Sequence, residues 1–164
     1  MTPAPMLRAL ALAAEAEAAG EVPVGAVVIE ATTGREIAAA RNRVIADRDP
    51  TAHAEMLAIR TAAARLGAPR LPDCDIWVTL EPCPMCAQAI AFARLRRLYF
   101  AAYDPKGGGV EHGARIFAQP GCNHRPEVYG GIEERAAGDL LRRFFAMRRD
   151  PALFSAQSDT LPRK

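Results

Sequence analysis

No stretch of this sequence approaches the roughly 18 consecutive apolar residues that a membrane-spanning helix needs, although half of its residues are hydrophobic. No membrane partner is therefore expected. The apolar start around Leu7, Ala9, Leu10, Ala11 and Leu12 has no basic segment before it and is followed at once by Glu15 and Glu17. That is not the pattern of a secretion signal. Leu7, Leu10, Ala11 and Ala14 fall at helical spacing, so the segment reads as an amphipathic first helix, and the expected location is cytoplasmic. Cysteine is scarce, with four in 164 residues. Where thiols stay reduced, these read as ligands or buried side chains and not as bridges. There is no internal repeat and no second-domain boundary. Residues 1–150 read as one domain and residues 151–164 as a polar tail.

Charge of either sign is also in small excess, at a formal net +2, but it is unevenly placed. Residues 1–93 carry 8 Lys/Arg against 11 Asp/Glu, whereas residues 94–149 carry 11 against 6. A basic C-terminal half suits a polyanionic partner, and it equally suits a solvated helix face rich in arginine.

The pattern of residues gives a sequence of elements. Val24 to Ile29 and Glu36 to Ala40 read as a hairpin turned by Thr32, Thr33 and Gly34. Asp49, Pro50 and Thr51 offer capping groups and a proline for a helix start, with Ala52, Met56, Ile59, Ala63 and Leu66 as its buried stripe. Asp75 to Leu80 reads as a strand, Pro84 to Arg94 as a helix and Arg97 to Ala102 as a strand. Residues 104–131 read as a long loop with one short helix near Gly113 to Phe117. Val128 and Tyr129 give a short strand, and Glu133 to Arg149 a final helix. Strands alternating with helices imply an α/β fold with a mainly parallel sheet covered on both faces.

The chemistry concentrates in His53-Ala54-Glu55 and Pro82-Cys83-Pro84-Met85-Cys86. A catalytic zinc takes three protein ligands and keeps the fourth position for water. One imidazole, His53, and two thiolates, Cys83 and Cys86, meet that count. Cys83 and Cys86 are three apart at a helix start, so both sulfurs can face one ion, and a helix N-terminus favours the thiolate. Glu55, two residues past His53, can approach the water without being a ligand. A redox cysteine pair explains neither the His-x-Glu nor the Glu81-Pro82 before Cys83. A structural zinc site wants a fourth thiol or imidazole, and Cys74, Cys122, His112 and His124 show no paired spacing. Gly107-Gly108-Gly109 lacks the ending of a phosphate-binding loop.

These motifs match the His-x-Glu and Pro-Cys-x-x-Cys pattern of zinc nucleobase deaminases. Over almost its whole length the chain resembles the bacterial tRNA adenosine deaminases of the cytidine/deoxycytidylate deaminase superfamily. The resemblance runs through Glu21 to Val27, Asn42-Arg43, Asp49 to Glu55, Val78 to Cys86, Asp104 to Gly108, Pro120 to His124 and Phe144 to Arg149. It implies a three-layer α/β/α fold with a mixed, mainly parallel five-stranded sheet. It implies zinc on His53, Cys83 and Cys86, with Glu55 moving protons while water attacks C6 of adenine. The implied partners are a tRNA anticodon stem-loop, whose wobble adenosine becomes inosine, and a second copy in a homodimer. Asn42, Ala54, Asp104, Lys106, Asn123, His124, Arg148 and Arg149 fall where the family meets its substrate. Asn42 read by itself serves equally as an Asx turn, and Asp104, Lys106, Asn123 and His124 equally as ordinary polar loop residues. Two alternatives remain: a deaminase of guanine, cytosine or cytidine on the same scaffold, and a non-catalytic zinc-stabilised RNA-binding module.

Overall fold

A five-stranded sheet carries helices on both faces in the structure, a computed structural model that describes residues 1–149. The polar tail expected from residue 151 lies outside the described residues. The elements are α1 (Ala4–Ala18), β1 (Gly25–Glu30), β2 (Glu36–Arg41), α2 (Ala54–Leu66), β3 (Cys74–Leu80), α3 (Pro84–Phe92), β4 (Arg97–Ala102), β5 (Glu127–Tyr129) and α4 (Glu134–Arg149). The strand order is β2-β1-β3-β4-β5. β1 pairs antiparallel with both β2 and β3, while β3–β4 and β4–β5 are parallel. The sheet is thus mixed, as expected, with its parallel part in the C-terminal half.

α1 and α4 cover one face, where Met6, Ala9, Leu12 and Ala137 meet Val27, Ile29 and Ala101. α2 and α3 cover the other, where Ala54, Ala58, Ala62, Ala87 and Ile90 meet Ala26, Val28, Ile76, Val78 and Leu98. The result is a three-layer α/β/α stack. No helix among the described residues is long and apolar enough to cross a membrane.

The helices form where expected but turn different sides inward. α1 buries Met6, Ala9, Leu12, Ala13 and Ala16 and leaves Leu7 exposed. α2 buries Ala54, Glu55, Ala58 and Ala62, and Leu66 is exposed. In both, the small residues face the sheet, which lets helix and strand approach closely. Gly25 shows the same closeness: a Cβ there would lie 2.1 Å from the Ala9 carbonyl oxygen. The stripe expected for α2 holds in part: Ala52 is fully buried and Ile59 packs against the core, but Leu66 is exposed and the most buried helical positions include Ala54, Ala58 and Ala62.

The start of α2 also differs. Asp49 does not begin the helix; its Oδ1 accepts from the Thr51 N–H at 2.8 Å and closes a local turn. The helix begins at Ala54, four residues after Pro50, with His53 at the N-cap. The short helix in the long loop is a 3₁₀ turn over Ile116–Ala118. Gly34 takes its expected turn, with φ of 73°.

Candidate active site

Two helix N-termini converge on three metal-ligating side chains. His53 is the N-cap of α2 and Cys83 the N-cap of α3, and Cys86 lies in the first turn of α3. The two sulfurs sit 3.6 and 3.5 Å from His53 Nδ1. All three donor atoms fall within 4.8 Å of one another. Pro84 follows Cys83 at a helical position that needs no N–H donor. Both helix dipoles point their positive ends at the thiols.

That environment separates the two cysteines. The Cys86 thiol donates to Cys83, and with His53 this takes Cys83 down to about 4 against the opposing effect of burial. The same bond, with burial, pushes Cys86 up. His53 is pushed up chiefly by its hydrogen bond to Cys83. A divalent cation would displace these protons and take both sulfurs as thiolates. One imidazole and two thiolates form a borderline-soft donor set that suits zinc and leaves a fourth tetrahedral position open.

Glu55, the second residue of α2, is 4 % exposed. Burial pushes its carboxyl up to about 7. A carboxyl group held near neutrality beside a metal-type site can both take and give a proton.

A cleft of about 450 Å³ opens over this group, within the usual size range for a small-molecule site. His53, Glu55, Cys83, Asn42, Asp104 and Arg148 all line it. Asn42 is buried, and its Oδ1 accepts from the Ala54 N–H at 2.9 Å. The Asn42 side chain therefore caps α2 from twelve residues away and does not close a local Asx turn. Ala54 itself is fully buried. Asp104 Oδ1 accepts from the N–H groups of Lys106 at 3.1 Å and Gly107 at 2.9 Å, fixing the bend that carries Lys106. The Arg148 guanidinium donates to the Gly20 carbonyl and stacks 4.4 Å from the centre of the Phe144 ring.

Other expected residues are not lining side chains of this cleft. The His124 ring bonds the Leu95 carbonyl at 2.6 Å, at the junction of α3 and β4. Its neighbour Asn123 accepts at its backbone oxygen from Arg94 at 3.4 Å. Arg149 bonds the Phe145 carbonyl on the outside of α4.

Two carboxylates to which the sequence assigned no role hold the walls of the cleft. Glu21 Oε1 accepts from the N–H groups of Ile45 at 2.9 Å and Ala46 at 2.8 Å. Glu81 is 1 % exposed and accepts from the N–H groups of Asp104, Val110, Glu111 and His112. Burial pushes the Glu81 carboxyl up, but these bonds outweigh it and hold it below the ordinary range. Gly108 and Gly109 are needed in this loop. A Cβ on Gly108 would lie 2.6 Å from the Glu81 carboxylate carbon, and one on Gly109 would lie 2.5 Å from Pro84 N. The advance signs of Glu81 were its place before Pro82-Cys83 and within the family-like stretch Val78 to Cys86.

Fold and site together define a class: a three-layer α/β/α stack that carries a deaminase-type His/Cys/Cys group beside a buried glutamate. Residues 3–102 match the family described as the cytidine and deoxycytidylate deaminase zinc-binding region, and the chain belongs to that family. It is 54 % identical over 138 residues to a tRNA-specific adenosine deaminase of Agrobacterium fabrum, spanning 82 % of this chain and 90 % of that one. Among solved structures, it is similar to a chain from a study of A-to-I editing by tRNA:A34 deaminases. There the TM-score is 0.81 at 52 % identity, covering 84 % of this chain and 98 % of that one. A guanine deaminase from Nitrosomonas europaea shares the fold at a TM-score of 0.76 and 28 % identity, over 89 % of this chain and 86 % of that one.

Proposed function

We propose that this chain is a zinc-dependent hydrolase that converts the wobble adenosine of a tRNA anticodon to inosine. The observation that carries the reading is the buried Glu55 carboxylate in the same cleft as His53 and Cys83, whose donor atoms cluster with that of Cys86. The substrate follows from relatives named as tRNA-specific adenosine deaminases, which match most of this chain at 54 and 45 % identity.

His53, Cys83 and Cys86 would hold the zinc. When bound, zinc supplies the Lewis acidity that brings the pKa of a water towards neutrality. Glu55 takes a proton from the water attacking C6 and returns one to the departing nitrogen. A C6–O bond forms, the C6–N bond breaks, and ammonia leaves. Asn42, fixed through its Oδ1, keeps its amide NH₂ to donate to a bound nucleoside. Ala54, whose N–H bonds Asn42 Oδ1, sets the position of that amide against the nucleoside. Asp104 and Arg148 meet the substrate in the cleft. Lys106, Asn123, His124 and Arg149 are assigned to the parts of a stem-loop that extend past it. The active form is a homodimer, and its tRNA substrate locates its work in the cytoplasm.

The test measures inosine formation on an anticodon stem-loop beside ammonia release from guanine, cytosine, cytidine and adenosine. Turnover of the stem-loop alone is expected. Faster turnover of a free base would replace this reading with a small-molecule deaminase on the same scaffold, the activity carried by the guanine deaminase neighbour.

A further inference from the structure

The rim of the cleft holds an apolar side chain that the chemistry just described does not use. Ile45 lines the same cleft as His53 and Glu55, yet 59 % of its surface faces solvent. A lone exposed isoleucine is ordinary on a protein surface. This one is set apart by how its backbone is held. Its N–H donates to Glu21, a carboxylate only 2 % exposed. The rest of its loop is tied as well: the Arg48 N–H bonds the Ile45 carbonyl at 3.2 Å, and the Asp49 N–H bonds the Val44 carbonyl at 3.2 Å. Arg43 and Asp47 close the loop with a two-pronged ion pair at 2.7–3.1 Å. The chain therefore fixes an exposed apolar group at the mouth of the cleft, where a mobile loop would have left it free.

Placing the reacting base in such a cleft requires the nucleotide to leave its stack. Unstacking exposes the apolar face of the base beside it, and proteins that unstack duplex bases insert apolar wedges, isoleucine among them, against such faces. We propose that Ile45 is a substrate-selecting residue that packs against the base adjoining the reacting adenosine. Glu21 is its positioning residue. This inference rests on the tRNA reading above. It makes the enzyme dependent on a neighbouring base, which a site for free nucleosides has no reason to be.

The test pairs Ile45→Ser and Ile45→Leu with three stem-loops: the intact one, and two with a single abasic nucleotide on either side of the adenosine. On the intact stem-loop, Ile45→Ser is expected to lower kcat/KM by about tenfold, the effect of losing roughly half of a buried isoleucine side chain. Ile45→Leu is expected to retain most of the rate. On one of the two abasic stem-loops, wild type and Ile45→Ser should become equal, because the group that Ile45 packs against is gone. Zinc content and melting temperature should stay at wild-type values, since the side chain is at the surface. A loss below twofold on the intact stem-loop, or an equal loss on all three, overturns the proposal. If wild type fails to deaminate the intact stem-loop, the tRNA reading falls and this inference falls with it. If wild type succeeds and Ile45→Ser matches it, only this inference falls.

Discussion

His112 binds both oxygens of the Glu81 carboxylate, its backbone N–H to Oε1 at 2.9 Å and its ring Nδ1 against Oε2 at 2.8 Å. Glu81 stands two residues before Cys83, so one buried group joins the candidate metal loop to the loop that supplies Asp104 to the cleft. Removing it leaves four backbone donors without their acceptor, the one at Val110 buried, and a buried donor left unsatisfied costs about 1–3 kcal/mol. Glu81→Ala is therefore expected to lose about 3 kcal/mol or more, a fall of roughly 6–12 °C in Tm for a chain of this size. His112→Ala breaks one bond at a partly exposed ring and should lose about 1 kcal/mol. Calorimetry of the two variants checks the ranking. Equal losses would mean that the backbone bonds to Glu81 contribute little.

The same carboxylate sets a pH dependence. Its folded pKa is held below the unfolded value. Its contribution is therefore present above about pH 4.3, the ordinary glutamate value, and is lost as pH falls through the lower folded value. The Tm difference between wild type and Glu81→Gln should accordingly shrink below that pH. A difference constant from pH 7 to 3 would contradict the assignment.

What the sequence disclosed and what it hid follow from how each residue acts. His53, Cys83 and Cys86 act through their own side chains at helix starts, in short fixed spacings, so their clustering was legible. Glu21 and Glu81 act by accepting from the backbone of loops 23 to 31 residues away, and no spacing advertises that. Asn42 was legible as a polar residue near the hairpin, but its role as a distant cap of α2 was not. Element order was readable from periodicity. The inward faces of α1 and α2 were not, because alanines sit on several sides of each helix and tertiary packing chose among them. Arg142 and Arg143 share a helix with Arg148, yet they pair with Asp139 and Glu17.

Glu55→Gln should separate chemistry from stability. Burial makes ionisation of this carboxyl costly in the fold, so a neutral isostere should leave Tm at or above the wild-type value. Deamination should fall by about 10²–10⁴-fold, the usual contribution of a general acid–base group, while zinc content is unchanged. Single-turnover rates, metal analysis and calorimetry on one preparation decide it. A rate loss under tenfold would hand the proton transfer to another group.

Metal and fold should be linked at the two cysteines. Cys83→Ala and Cys86→Ala each remove one of three donors, so both should lose zinc and activity together. Treating wild type with a chelator should lower activity and Tm, and added zinc should restore both. Full activity in demonstrably zinc-free protein would exclude a metal mechanism.

Arg148 offers the last test, because its neighbours on α4 serve as controls. It lines the cleft, with its guanidinium held by the Gly20 carbonyl and the Phe144 ring. Neither partner is an anion, so its charge is not neutralised within these contacts. Arg143 spends its charge on Glu17, at 2.5–2.9 Å, and Arg142 on Asp139. If RNA phosphate meets α4 at the cleft, Arg148→Ala should weaken stem-loop binding and flatten the slope of log K against log salt by about 0.7, the value for one phosphate on a single strand. Arg142→Ala should leave that slope unchanged. Arg143→Ala releases Glu17, and any effect should appear in Tm more than in salt dependence. Binding titrations from low to moderate salt check all three. Equal flattening by Arg148→Ala and Arg142→Ala would mean that the whole basic helix attracts RNA as a diffuse field, with no phosphate seat at the cleft.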